Sequence, residues 1–188
     1  MLQEPHRADA FGKRVIQFRR ARVAWLPTVP HGPAMLDDRD RRLLALLQAD
    51  ADLPNAVLAE RVALSPSACS RRIQRLRDEG YITRRVAVLD RQRMGVPTTV
   101  FVLLRSGRHA AGWVEALRRA IEGIPEVVEA HRLTGNFDYL LKVVLPNVEH
   151  YDQVYKRLTE GIELFDVSAY ISMETMKAET AVPTDFGG

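Results

Sequence analysis

The stretch Leu58-Ala59-Glu60-Arg61-Val62-Ala63-Leu64-Ser65-Pro66-Ser67-Ala68-Cys69-Ser70-Arg71-Arg72-Ile73-Gln74-Arg75-Leu76 holds two helical patterns separated by a break of two residues, Leu64-Ser65. Upstream of the break, Leu58 and Val62 recur one turn apart with Val57 beside them, and Ala59 is small enough for a close helix crossing. Downstream, Ser65 is a good N-cap, and Pro66 takes the first helical position, where a missing N–H costs nothing. Two helices joined by so short a turn cannot lie antiparallel. They must cross steeply, which is the helix-turn-helix arrangement.

At about 100° per residue, Cys69, Ile73 and Leu76 form one narrow inward stripe. Ser67, Arg71, Gln74 and Asp78 fall on the opposite side, flanked by Ser70 and Arg75. A cation, an amide and hydroxyls on one face match the groups a DNA major groove presents. Arginine pairs with guanine, glutamine with adenine, and hydroxyls or helix N–H groups with phosphates. Gly80 suits the left-handed position after the helix. Tyr81–Val88 is then β-prone, a short strand or wing whose Arg84 and Arg85 would reach neighbouring phosphates. The expected DNA contacts are Ser65, Ser67, Ser70, Arg71, Gln74, Arg75, Arg84 and Arg85. A lone basic helix face is more often a solvated surface; the turn spacing, Ser-Pro start, Gly stop and Arg-Arg strand together favour DNA. Cys69, on the inward stripe, reads as a small core residue rather than a redox sensor.

Upstream, Asp37 or Asp38 can cap a further helix bearing Leu43, Leu44 and Leu47, so three helices and a wing occupy residues 35–88. Residues 1–34 hold four prolines and six basic against two acidic side chains, and read as a disordered basic extension. Met35 as the natural start, or an arm touching DNA phosphates, are the alternatives. Downstream, Leu89–Pro97 forms a hinge with Gly95 and Pro97. Strands are expected at Thr98–Leu104, Val127–Leu133, Phe137–Leu145 and Asp166–Met173, with helices at Ala110–Glu122 and Asn147–Thr159. A βαββαβ order within about 80 residues is the ferredoxin-like arrangement, here spanning 98–180 before a tail at 181–188. The fold class is therefore α+β: a winged helix-turn-helix domain followed by a ferredoxin-like domain. Trp113 and Tyr151 read as core aromatics.

A length of 188 residues with 46% apolar and 27% charged side chains suits two compact domains. No run of about 18 apolar residues occurs, the first residues lack a secretory signal, and one cysteine makes no internal disulfide. A cytoplasmic protein with no membrane partner is expected. The net charge of +3 divides into +4 over residues 1–34, +3 over 35–97 and −4 over 98–188. The helix-turn-helix half is drawn to phosphates, and the second half is kept off them. His109, His131 and His150 are scattered and no paired acid–base constellation appears, so no catalytic residue, metal ligand or cofactor is expected.

Thr134-Gly135-Asn136 makes a turn at a strand end, where Gly135 lets a ligand approach and N–H groups could hold a carboxylate. Asp138 could pair with an α-ammonium, so both charges of a zwitterion would be met within five residues. Spacing alone favours the plainer reading, a hairpin closed by Gly135-Asn136 and capped by Asp138. Thr98–Leu104 is apolar throughout, so both faces should be buried, one by helices and the other by a second subunit. That predicts a homodimer through the sheets, presenting two recognition helices about one DNA turn apart to a pseudo-palindromic site.

Several stretches resemble the Lrp/AsnC (feast/famine) transcription regulators: Leu36-Asp37-Asp38-Arg39-Asp40, Leu64-Ser65-Pro66-Ser67, Arg72-Ile73-Gln74-Arg75-Leu76, Glu79-Gly80-Tyr81-Ile82, Leu89-Asp90 with Met94-Gly95, and Leu133-Thr134-Gly135-Asn136-Phe137-Asp138-Tyr139-Leu140-Leu141-Lys142-Val143. The likeness runs through residues 35–180, though Ala63 stands where that family often has glycine. It implies a dimerising sensor domain with an amino acid as effector at the dimer interface, and larger assemblies of dimers. With the resemblance, Thr134, Gly135, Asn136 and Asp138 become the expected effector contacts. The competing readings are a sirohaem-decarboxylase-like enzyme on the same fold and an effector-independent architectural DNA-binding protein.

Overall fold

The computed structural model describes residues 36–106, 111–160 and 162–185. The expectations for residues 1–34 lie outside them.

Three helices come first: α1 (Asp38–Ala49), α2 (Asn55–Arg61) and α3 (Pro66–Asp78). Asp37 is the N-cap of α1, in a capping box: its Oδ1 accepts from the Asp40 N–H at 2.8 Å, and Asp40 Oδ2 accepts from the Asp37 N–H at 3.2 Å. Ser65 caps α3 through the Ala68 N–H at 3.3 Å, with Pro66 as its first residue. Gly80 ends α3 at φ +82°, its N–H donating to the Arg77 carbonyl. Asn55 Nδ2 reaches the Pro66 carbonyl at 2.8 Å and ties the start of α2 to that of α3.

Leu43, Leu58, Ala59, Val62, Cys69 and Ile73 form the core of this unit, with Leu46, Leu47, Leu53, Leu64 and Ile82 packed against it. Leu46 rather than the expected Leu44 joins Leu43 and Leu47, because the core lies slightly to that side of α1. Cys69 is fully buried, and burial pushes its thiol pKa up, as befits a core residue. The segment after α3 differs from expectation. Residues 82–90 pair with no strand among the described residues, so the wing is exposed backbone without a ladder partner.

The second unit is β1 (Thr98–Arg105), α4 (Ala111–Glu122), β2 (Val127–Arg132), β3 (Tyr139–Leu145), α5 (Tyr151–Thr159) and β4 (Asp166–Ile171). β1 pairs antiparallel with both β3 and β4, and β2 with β3, giving the sheet order β2-β3-β1-β4. β3 begins at Tyr139, two residues later than expected. Tyr139, Leu141, Val143 and Leu145 point into the core with Val100, Val102 and Leu104 of β1, beneath Leu117 of α4 and Val154 and Leu158 of α5. Trp113 and Tyr151 pack on that core, the Trp113 indole donating to the Glu163 carbonyl at 2.9 Å.

Directly paired residues share a face, so the opposite side of the sheet presents the rows His131–Leu140–Leu103–Ser168 and Glu129–Lys142–Phe101–Tyr170. Phe101, Leu103 and Leu140 there are only half-buried, and Tyr170 is exposed. One face of β1 is buried within the chain and the other is half-buried, the face for which the apolar run predicts a second subunit.

Two connections join the units. One is the hinge, where Gly95 takes φ +74° and Arg91 Nη1 donates to Thr99 Oγ1 at 2.5 Å. The other is the C-terminal segment, which returns to α1. The Gln48 amide donates to the Val182 carbonyl at 3.0 Å and accepts from the Val182 N–H at 2.7 Å, while Arg41 Nη1 reaches the Thr184 carbonyl at 2.8 Å. A half-open cleft of about 620 Å³ lies between hinge and returning segment, lined in part by Asp90, Arg91, Thr99 and Glu174.

Candidate DNA interface and effector site

Ser67, Ser70, Arg71 and Gln74 share the exposed side of α3, opposite the buried Cys69, Ile73 and Leu76. Ser65 and Ser67 bring their hydroxyls within 3.3 Å at the helix N-terminus. Gln74 Nε2 donates to Asp78 Oδ1 at 2.8 Å, one turn on, so its amide lies along the outer surface. The Arg71 side chain makes no hydrogen bond or ion pair among the described residues. Arg84 and Arg85 are exposed on the unpaired segment that follows. A surface with unspent donors beside a helix N-terminus can hold phosphates and read base edges.

Arg75 has another occupation. Its Nη2 lies 2.6 Å from Asp40 Oδ2, and Arg72 Nη1 lies 2.9 Å from Asp40 Oδ1 and 2.6 Å from Asp37 Oδ2. Asp40 is 1% exposed, so a carboxylate buried at the α1–α3 junction takes both guanidinium groups. Helical spacing put Arg75 on the flank of the DNA face; the buried carboxylate draws its charge back. For both arginines the hydrogen bonds to these carboxylates raise the pKa. Burial works against ionisation of Asp37, but the Asp40 N–H and Arg72 outweigh it and hold its carboxyl below the ordinary range. Sequence reasoning used Asp37 only as a cap and passed over Asp40 and Arg72. The available signal was Asp40 itself, a charged residue on the helical stripe it shares with Leu43 and Leu47.

In the second unit, Thr134, Gly135 and Asn136 are exposed between β2 and β3. Gly135 takes φ +119°, and the space where a Cβ would stand is open. Asp138 is half-buried, and its Oδ2 accepts from the Ser106 N–H at 2.7 Å and the Ser106 hydroxyl at 3.0 Å. Its backbone completes the join, with its N–H on the Leu104 carbonyl and its carbonyl on the Leu133 N–H. The four expected effector residues are therefore together, at the end of β1. Ser106, the partner of Asp138, was not foreseen, because only the pairing of β1 with β3 brings the two together. The hinge cleft has a different lining, which includes none of the four.

Among the described residues no helix is long and apolar enough to cross a membrane. Residues 36–83 match the model of the winged helix-turn-helix DNA-binding domain, and residues 99–182 that of the Lrp/AsnC ligand binding domain. The HTH-type transcriptional regulator Zrp of Zymomonas mobilis is 55% identical over 152 residues, covering 81% of this chain and 99% of that protein. An AsnC family transcriptional regulator from Agrobacterium tumefaciens superposes with a TM-score of 0.78 at 42% identity, over 80% of this chain and 99% of that one. A transcriptional regulator from Neisseria meningitidis, solved in complex with L-Met, superposes with a TM-score of 0.76 at 30% identity, over 80% of this chain and 97% of that one.

Proposed function

The chain belongs to the Lrp/AsnC family of transcriptional regulators, and from that premise we propose how its own residues do the work. Residues 35–88 form the DNA-reading unit, 89–97 the hinge, and 98–180 the sensing and dimerising unit. Ser67, Ser70, Arg71 and Gln74 face the major groove, with Ser65, Arg84 and Arg85 on phosphates. The observation that carries this reading is the exposed side of α3, where the Arg71 side chain is unspent and Gln74 lies along the same surface. Arg71→Ala is expected to weaken specific binding by roughly 1–3 kcal/mol in a gel-shift titration. An equal loss on random DNA would reassign Arg71 to phosphate.

The half-buried apolar side of the sheet, with Phe101, Leu103 and Leu140, supports a homodimer through the sheets. Two recognition helices then meet a pseudo-palindromic site in double-stranded DNA. A monomer by light scattering at micromolar concentration would refute it.

The effector is a small metabolite with the zwitterion chemistry of an amino acid. Its carboxylate meets the open turn at Thr134, Gly135 and Asn136, and its ammonium meets Asp138 alongside Ser106. The L-Met complex of the Neisseria relative supports this class of ligand. Asp138→Asn keeps an oxygen for Ser106 but removes the charge. It is expected to abolish the thermal shift that a pool of amino acids produces, with ligand-free DNA binding retained. An unchanged shift would remove Asp138 from the site.

A further inference from the structure

α3 carries four arginines, Arg71, Arg72, Arg75 and Arg77, and they are not equivalent. Arg75 stands only about 40° around the helix from Arg71. Its side chain is 40% exposed, so its Cα position alone would put its charge beside the DNA face. Instead its guanidinium turns back to Asp40, and its Nε is buried with no partner among the described residues. Arg72 turns back in the same way, to Asp40 and Asp37.

We infer that Asp40 sets the sequence-independent share of DNA binding: it withdraws Arg72 and Arg75 from the phosphates and leaves Arg71 and Gln74 as the reading groups of α3. The inference rests on the reading of that face as the DNA interface. An arginine free on this flank would bind any phosphate within reach, which raises affinity for every sequence alike. Target and random duplexes would gain the same term, so their ratio would stay as it is while binding to both became tighter and more dependent on salt. Asp40, at 1% exposure, does not give up its partners to a phosphate, because an unpaired buried carboxylate is strongly disfavoured. The buried pairing thus limits the purely electrostatic hold of α3 on DNA.

The test uses the full chain, a duplex enriched by the wild-type protein from a random pool, and a random duplex of equal length, each titrated across a salt series. Asp40→Asn keeps an acceptor for the Asp37 N–H while weakening both ion pairs. It is expected to tighten binding to the random duplex at low salt. The slope of log affinity against log salt should steepen by up to about 1.8, or 0.9 per freed cation. Target-to-random discrimination should stay as in the wild type, because both duplexes gain alike. Arg75→Gln is expected to leave the wild-type slope unchanged on both duplexes. A folded Asp40→Asn variant with the wild-type slope overturns the inference, and so does an Arg75→Gln slope shallower by about 0.9. Should Asp40→Asn fail to fold, Arg75→Gln decides alone. Arg71→Ala run alongside separates the two levels: no effect on either duplex would sink the DNA face itself, and the inference with it.

Discussion

The two folded units close their cores by different means. In the helical unit, six buried apolar side chains from Leu43 to Ile73 are finished at the α1–α3 junction by a buried carboxylate and two arginines. In the sheet unit, twelve buried residues fill one face between strands and helices, and the other face stays half-covered. The helical unit is too small for apolar packing to surround its junction, so it uses charge there, and that charge also shapes the DNA face. The sheet unit fills its core on one side and leaves the other half-covered, the face of the proposed dimer.

The largest expected effect separates the units outright. Leu43→Ala removes a fully buried side chain from the smaller core and should cost roughly 2–5 kcal/mol. In urea, the helical signal and DNA binding should be lost early, while Trp113 fluorescence keeps reporting a folded sheet unit. Leu141→Ala should do the reverse. A single shared transition in both variants would mean that the hinge and the segment returning to Gln48 make the two units one cooperative body.

A smaller effect compares the charge clusters. Glu126 accepts from Arg157 Nη2 at 2.6 Å, with His150 at 3.3 Å. Burial pushes the Glu126 carboxyl up, but Arg157 and the other donors outweigh it, so it sits below its ordinary 4.5. A depressed carboxylate stabilises the fold above its unfolded value, and that stabilisation is lost as pH falls through the folded value. The sheet unit should lose roughly 1 kcal/mol from this cluster below about pH 4.5, and Glu126→Gln should flatten that dependence in thermal melts. An unchanged acid profile would assign the loss elsewhere.

The smallest effect is a gain. Ala63 has φ +52°, in the left-handed region, just before the Leu64-Ser65 turn. Ala63→Gly relieves strain of about 1–2 kcal/mol and adds unfolded-chain entropy worth about half that, for a net gain of roughly 0.5–1 kcal/mol. The melting temperature of the helical unit should rise while that of the sheet unit stays put.

Much of this was legible in the residues. Ser65, Pro66 and Gly80 announce α3 because capping and left-handed φ depend on a few neighbouring atoms. The alternation of Tyr139, Leu141 and Val143 gives the inward face of β3 for the same local reason. Arg75 shows the limit. Its place on the helix follows from its number in the chain, yet its charge goes to Asp40, thirty-five residues away.

The sequence by itself determined the helices and the four strands of the sheet, their order, the inward stripes of α3 and β3, and the family likeness that those motifs carry. These are set by backbone geometry and periodicity over a few residues. Only the tertiary structure decided that Asp40 draws in Arg72 and Arg75, that Ser106 holds Asp138, that the wing has no ladder partner among the described residues, and that Val182 returns to Gln48. Each depends on which distant groups share a few ångströms of low-dielectric space. Burial at one position and charge at another jointly fix that outcome, and neither is visible along the chain.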